Sequence, residues 1–233
     1  MKKFYSILMG CMLLTSFVNA QSKVFKEVGE GISSQLKVIV QDDVLMGYLS
    51  FTQLEKVNED TFNYKISIMD ENLNDIGTVN FREQSLELQA VSFEQDILCL
   101  AYLKSNMPLK RFGSTKKYIK AFDNAEHNIF TQFINLDGKI IKTNSIKANL
   151  KIDQTRIYSY VSKLTGVSGD LKHNIQLKNL PQKGFACFYG DETKNQVRTF
   201  DLKGEPVWNK DVPDALDYAL LTSGEHIYIL SKK

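Results

Sequence analysis

The stretch Phe130-Thr131-Gln132-Phe133-Ile134-Asn135-Leu136-Asp137-Gly138-Lys139-Ile140-Ile141-Lys142 decides the fold. Aromatic and β-branched residues fill its two arms, as a pleated, half-buried surface requires. Between them, Asn135-Leu136-Asp137-Gly138 supplies residue types that accept left-handed backbone and make Asx turns. The segment reads as a β-hairpin. Two other stretches share its order. Tyr64-Lys65-Ile66-Ser67-Ile68-Met69-Asp70 leads through Asn72-Leu73-Asn74-Asp75 into residues 76–81. Val197-Arg198-Thr199-Phe200 leads through Asp201-Leu202-Lys203-Gly204 into residues 205–209. These turns begin at residues 72, 135 and 201, so they lie 63 and 66 residues apart.

Short apolar or alternating runs continue outward from these hairpins. They predict strands at residues 36–40, 44–51, 62–69, 76–81, 86–93 and 97–103. Further strands are predicted at 129–134, 139–146, 149–152, 156–162, 184–189, 196–201, 206–209, 218–222 and 226–231. No stretch sustains a 3.6-residue apolar period, and only residues 211–221 allow a short helical turn. The expected class is all-β, an antiparallel meander in repeats. Each repeat offers about four strands, the content of one blade of a β-propeller. The units fall at about residues 44–103, 104–163 and 181–233, inside a single domain of residues 21–233. A closed propeller has roughly four to eight blades, so about three units predict a partial or open array with strand edges to cover. A β-sandwich is the alternative.

One segment carries a family resemblance. Val197-Arg198-Thr199-Phe200-Asp201-Leu202-Lys203-Gly204-Glu205-Pro206-Val207-Trp208 resembles the outer-strand motif of quinoprotein-like and related propellers: an apolar strand, an Asp, a turn Gly, and a Trp on the next strand. Gly224-Glu225-His226-Ile227-Tyr228-Ile229-Leu230 resembles the strand that follows. The chain as a whole resembles secreted β-propeller-like (quinoprotein-like or WD-type repeat) proteins of unknown function from Gram-negative bacteria. The specific match covers about the last 40 residues, and the first two units have Asn80 and Asn144 near the place of the Trp. The resemblance implies a structural repeat, with no bound quinone or other cofactor.

The N-terminus reads as a targeting segment. Lys2 and Lys3 precede a mostly apolar run from Tyr5 to Val18, and Val18 and Ala20 suit the −3 and −1 positions of a signal cleavage site between Ala20 and Gln21. The run is shorter than the roughly 20 residues of a spanning helix. Residues 1–20 are therefore expected to be a signal peptide, and the protein secreted or periplasmic. Leu8-Met9-Gly10-Cys11 makes a poor lipoprotein site, because Met9 fits badly and the apolar run continues past Cys11. No second stretch reaches membrane length, so no membrane span is expected after cleavage.

Cleavage removes Cys11 and leaves Cys99 and Cys187 in a compartment that permits a bridge. Both sit in apolar, strand-like runs. A disulfide needs their strands to be neighbours, so two buried thiols acting as small core residues is the favoured reading. Cleavage also removes the charge excess. The formal charge of +2 comes from Lys2 and Lys3 alone, and a chain starting at Gln21 has 27 cations against 27 acids. That balance argues against nucleic-acid binding.

Motifs for chemistry are scarce. The chain has no GxSxG, HExxH, GxxxxGK[ST] or GxGxxG. Gly166-Val167-Ser168-Gly169 lacks the spacing of a nucleophile elbow, and Ser114-Thr115-Lys116-Lys117 fits S-x-x-K only within a basic loop. Neither His127, His173 nor His226 has a second His or Cys at ligand spacing. His226 beside Glu225 is either a pocket acid/base or, as we favour, a hydrogen-bonded strand residue. Asp70, Asn72 and Asn74 match the first oxygen ligands of a calcium loop, but Asp75 and Phe81 replace its Gly and its final Glu. The run Lys110-Arg111-Phe112-Gly113-Ser114-Thr115-Lys116-Lys117-Tyr118 has the composition of an anion-binding patch and reads better as a solvated loop. No catalytic, metal or cofactor residue is nominated. The expected function is a non-enzymatic binding or scaffold module for a protein or glycan of the cell envelope, with homo-oligomerisation as a further option. The alternatives are a hydrolase with acids on separate loops, or a truncated propeller completed by a partner chain.

Overall fold

The computed structural model describes residues 33–107, 113–150, 175–191, 193–215 and 217–232. Among the described residues the fold is all-β with one short helix, in the order β1 (Ser33–Gln41), β2 (Val44–Lys56), β3 (Thr61–Met69), β4 (Asp75–Glu94), β5 (Ile97–Ser105), α1 (Thr115–Asp123), β6 (His127–Asn135), β7 (Ile140–Ala148), β8 (Gln176–Leu180), β9 (Gly184–Gly190), β10 (Asn195–Phe200), β11 (Pro206–Val212), β12 (Asp217–Ser223) and β13 (His226–Lys232). Every pairing is antiparallel. Strands β1 to β7 follow one another in chain order, β8 to β11 form a second meander, and β12 pairs with β13.

Two turn types organise these meanders. In the first, a side-chain oxygen closes the hairpin. Asp70 Oδ1 accepts from Asn72 N (2.9 Å) and Asn74 N (2.8 Å). Asn135 Oδ1 accepts from Lys139 N (2.7 Å), and Asp201 Oδ1 accepts from Lys203 N (2.9 Å) and Glu205 N (2.8 Å). The fourth residue of each turn has positive φ: Leu73 at 63°, Gly138 at 84° and Gly204 at 78°. Beside each turn the ladder shifts by one residue, after Ile68, Phe133 and Thr199. These are three copies of one bulged hairpin. They begin at residues 70, 135 and 201, so the true spacings are 65 and 66. The sequence reading set the first turn two residues late, because Leu73 occupies the left-handed position where the other two have Gly. In the second type, Asp42-Asp43 (φ 49° and 63°) and Gln95-Asp96 (φ 47° and 63°) make two-residue loops that join β1 to β2 and β4 to β5.

The turns reset the repeat frame. Strand β4 is 20 residues long, and it replaces the two strands expected at 76–81 and 86–93. Residues 75–84 pair with β3 and residues 85–94 with β5. At the crossover the buried Tyr64 hydroxyl donates to Gln84 O (3.1 Å) and accepts from Leu86 N (2.8 Å). The four-stranded sets are therefore residues 33–84, 85–148 and 176–212, followed by the hairpin of residues 217–232. The units expected at 44–103 and 181–233 each close with a pair of strands that lies outside the corresponding set, since residues 86–103 open the second set and residues 218–231 form the final hairpin. Of the unit expected at 104–163, the described residues hold only β6 and β7 as whole strands.

Other expectations shift as well. Strand β8 lies in a stretch where no strand is predicted. The described residues of 211–221 form no helical turn; they end β11 and begin β12. Asn149 and Leu150 are not strand, and the strand expected at 156–162 lies outside the described residues, as do the signal peptide with its Ala20–Gln21 site, Cys11 and His173. Helix α1 was not foreseen: nine residues are too few to show a period against a β background.

The first strands of the sets lie side by side. β1 packs beside β4, β4 beside β8, and β8 beside β12. Each set stacks its apolar face on the next, which produces a series of cores. The first holds Leu49, Phe51, Tyr64, Leu98, Tyr102 and Phe130 among sixteen buried residues, and the second holds Phe133, Phe185, Tyr189 and Phe200 among fifteen. The third, between β8–β11 and the β12–β13 hairpin, has only five: Leu180, Ala186, Phe188, Val197 and Leu220. Among the described residues this thin core is covered on one side by two paired strands, β12 and β13.

Candidate functional site

A groove of about 690 Å³ opens at the thin core. One wall is β10 and β11, with Val197, Thr199, Val207, Trp208 and Lys210. The other is β13, with His226, Ile227 and Ile229. Its volume falls within the range of ligand and peptide sites. Val207 is 63% exposed and Trp208 44%, large apolar areas for a surface strand. The β12–β13 hairpin leaves one edge of β13 without a paired strand among the described residues. Ile227 and Ile229 face the core, whereas Tyr228 and Leu230 face out and are at least half exposed.

The hairpin is fastened to the stack through β8. Gln176 Nε2 donates to Tyr218 O (2.7 Å), and Gln176 Oε1 accepts from Leu220 N (2.7 Å). One side-chain amide so replaces a rung of backbone ladder. The Phe188 and Tyr218 rings meet with centroids 4.8 Å apart.

The groove's acids are already engaged. Glu225 meets Lys183 Nζ at 2.7 Å, and the hydrogen bond and charge of that lysine hold its carboxyl below the ordinary carboxylate value. Asp211 accepts from Gln196 Nε2 (2.8 Å). His226 opens β13 opposite Ser223, with its ring 6.2 Å from that of Tyr228. The lowered Glu225 carboxyl is the opposite of the raised state that a general acid at neutral pH requires.

A second polar cluster lies at the ends of the first strands. Glu94 is only 2% exposed. Its carboxylate accepts from Gln41 Nε2 (3.4 Å), Asn179 Nδ2 (3.0 Å) and Gln182 N (2.9 Å). A buried carboxylate needs such donors, and these come from the first and third sets, on either side of its own. Glu94 is thus a tie between sheets. Its one sign in the sequence is an acid that ends the apolar run of β4.

The remaining sequence candidates have structural roles. Cys99 and Cys187 are free, buried thiols of one apolar cluster, and burial pushes Cys187 up to about 12 and Cys99 well above its ordinary value. His127 Nε2 donates to Phe122 O (2.9 Å), and the two rings meet tilted, with centroids 4.1 Å apart. Ser114 caps α1, accepting from Lys117 N (3.3 Å) through Oγ, which accounts for the S-x-x-K match. Asp70 spends its carboxylate on the turn. Among the described residues no group of three or more His, Cys, Asp or Glu side chains is placed to hold a metal, and no helix is long and apolar enough to cross a membrane.

Residues 1–203 match the model of a family described as "Family of unknown function (DUF6770)". No curated protein and no solved structure matches the chain. The family match stops short of β11, so Trp208 and all of β13 lie beyond the matched residues.

Proposed function

The chain belongs to the DUF6770 family, and we propose that it is a non-enzymatic binding or scaffold module of the cell envelope, built as an open, propeller-like array of antiparallel sheets. The observation that carries this reading is the groove between β11 and β13: its walls are apolar, its strand edge is open, and its acids are already engaged. Such a surface offers apolar area and backbone partners. The propeller-like part is supported by the ordered, side-by-side packing of β1, β4, β8 and β12, with each set stacked on the next. The location is supported by the charged, apolar and small-residue pattern of residues 1–20. The partner class is a protein or a glycan of that compartment.

The test is to immobilise residues 21–233, apply an envelope extract, and assay the same protein against ester, peptide and glycoside substrates. Saturable capture without turnover is the expected result. Turnover that Asp211→Asn or Glu225→Gln abolishes would replace this reading with a hydrolase.

A further inference from the structure

Resting on that reading, we infer that the groove between β11 and β13 receives a β-hairpin from a different chain, whose turn has an Asx–x–x–Gly pattern and whose first strand pairs with β13. The argument comes from the two finished interfaces. At the first, the turn of residues 135–138 lies on β4, and a Cβ on Gly138 would come within 2.4 Å of Thr78 O. At the second, the turn of residues 201–204 lies on β7. Asn144 Nδ2 donates to Gly204 O (2.9 Å), Lys142 Nζ meets Glu205 Oε1 at 2.8 Å, and a Cβ on Gly204 would touch Phe133 and Lys142.

The register shows that both turns use the same seat. Gly77 pairs with Ile68, Lys142 with Phe133, and Trp208 with Thr199, each one step before the bulge. Gly138 therefore sits beside Gly77, and Gly204 sits on Lys142. The third seat is Trp208, which stands exposed. In each complete set, the second strand pairs with a third that leads into the Asx turn. β13 is the second strand of its set, and among the described residues no third strand follows on its edge. What the site lacks is one hairpin of a known kind, with its glycine over Trp208.

The open edge suits strand addition, since β13 carries neither proline nor a bulge against it. A different chain is the source because all three hairpins of this kind among the described residues are built into their own sheets. A second copy would have to give one up.

Trp208 is the chain's only tryptophan, so its fluorescence reports on the groove. The probe is a synthetic peptide of residues 127–148, which carries the Asn135–Gly138 turn and no tryptophan. Titrated into residues 21–233, it is expected to shift Trp208 emission to the blue, saturably, and to slow amide exchange in residues 226–232. Two changes should each weaken binding roughly tenfold or more: Val207→Glu in the protein, which buries a charge, and Gly138→Val in the peptide, which blocks the seat. Leu36→Glu, at the far end of the stack, should leave binding unchanged. No shift and no protection at millimolar peptide would overturn the inference. So would a blue-shifted Trp208 in the peptide-free monomer, which means that the chain covers its own groove. A blue shift that grows with protein concentration, with dimers in light scattering, would assign the site to a second copy. If the peptide fails while envelope capture persists and is insensitive to Val207→Glu, the binding-module reading stands and the groove's assignment falls.

Discussion

The second and third cores are built from the same repeat and differ in completeness. In the second, Phe133 is fully buried, with its ring 5.8 Å from Phe185 and 5.4 Å from Phe200, and the turn at Gly204 closes over it. In the third, the wall of β10 and β11 presents Val197, Val207 and Trp208 and is covered by two strands instead of four. A two-stranded hairpin is marginal by itself. In repeat architectures each interface contributes its own share of stability. The comparison therefore teaches where local opening should concentrate: at β12–β13, the same place that offers an edge to a partner.

The largest effect separates the two cores directly. Phe133→Ala removes a fully buried ring from the second core and should cost about 3–5 kcal/mol in urea unfolding. Ile229→Ala, on the half-buried face of β13, should cost about 1 kcal/mol. Equal losses would mean that the third interface is as complete as the second.

The turn glycines give the next contrast. Gly204 has φ +78°, and an added Cβ would stand 2.6 Å from Phe133 Cδ2. Gly204→Ala should cost about 2–4 kcal/mol, from left-handed strain together with the clash. Gly224 has φ +55° with nothing near an added Cβ, so Gly224→Ala should cost about 1 kcal/mol. If Gly204→Ala were as mild, the turn would not be seated on the neighbouring sheet.

Legibility followed the same division. The hairpins were readable because Asx and Gly at fixed offsets have a local cause, the side-chain oxygen that caps the turn. The phase of the repeat was not, because it depends on where β4 changes partners. Gln84-Ser85-Leu86 has no proline or glycine to mark that point, and what marks it is a hydroxyl from Tyr64, twenty residues away from Gln84. Trp208 was visible as a motif residue, but its exposure follows from the missing cover, which no local pattern encodes. Glu94 was passed over because its three donors come from β1, β8 and the turn after β8.

Two side chains that replace backbone ladder sharpen this further. Tyr64→Phe leaves Gln84 O and Leu86 N buried without their partner, and it should cost about 1–3 kcal/mol. Gln176→Ala frees Tyr218 O and Leu220 N at the unfinished end of the stack, where water reaches them more easily, and it should cost about 1 kcal/mol. Amide exchange should then speed up in residues 217–232 and stay unchanged in β1–β7. An increase spread over the whole chain would mean that the hairpin and the stack unfold as one unit.

The smallest effects concern the charge pairs at the two interfaces. Lys142–Glu205 joins the second and third sets, and Lys183–Glu225 joins the third set to β13, both at 2.7–2.8 Å between solvent-exposed side chains. Exposed pairs of this kind are screened by salt and must order two long side chains. A double-mutant cycle on Lys142 and Glu205 should return well under about 1 kcal/mol. Asn144→Ala, which removes a part-buried hydrogen bond to Gly204 O, should cost about 1 kcal/mol at the same interface. Lys183→Ala should leave the unfolding midpoint unmoved and raise the Glu225 carboxyl toward its ordinary value, measurable by NMR titration. If the Lys142–Glu205 cycle exceeded the cost of Asn144→Ala, charge would be holding the sheets in register. Lys210, two residues beyond Trp208 on β11, is the register counterpart of Asn144, so an occupant of the groove would then present an acceptor over Lys210 as well as a glycine over the tryptophan.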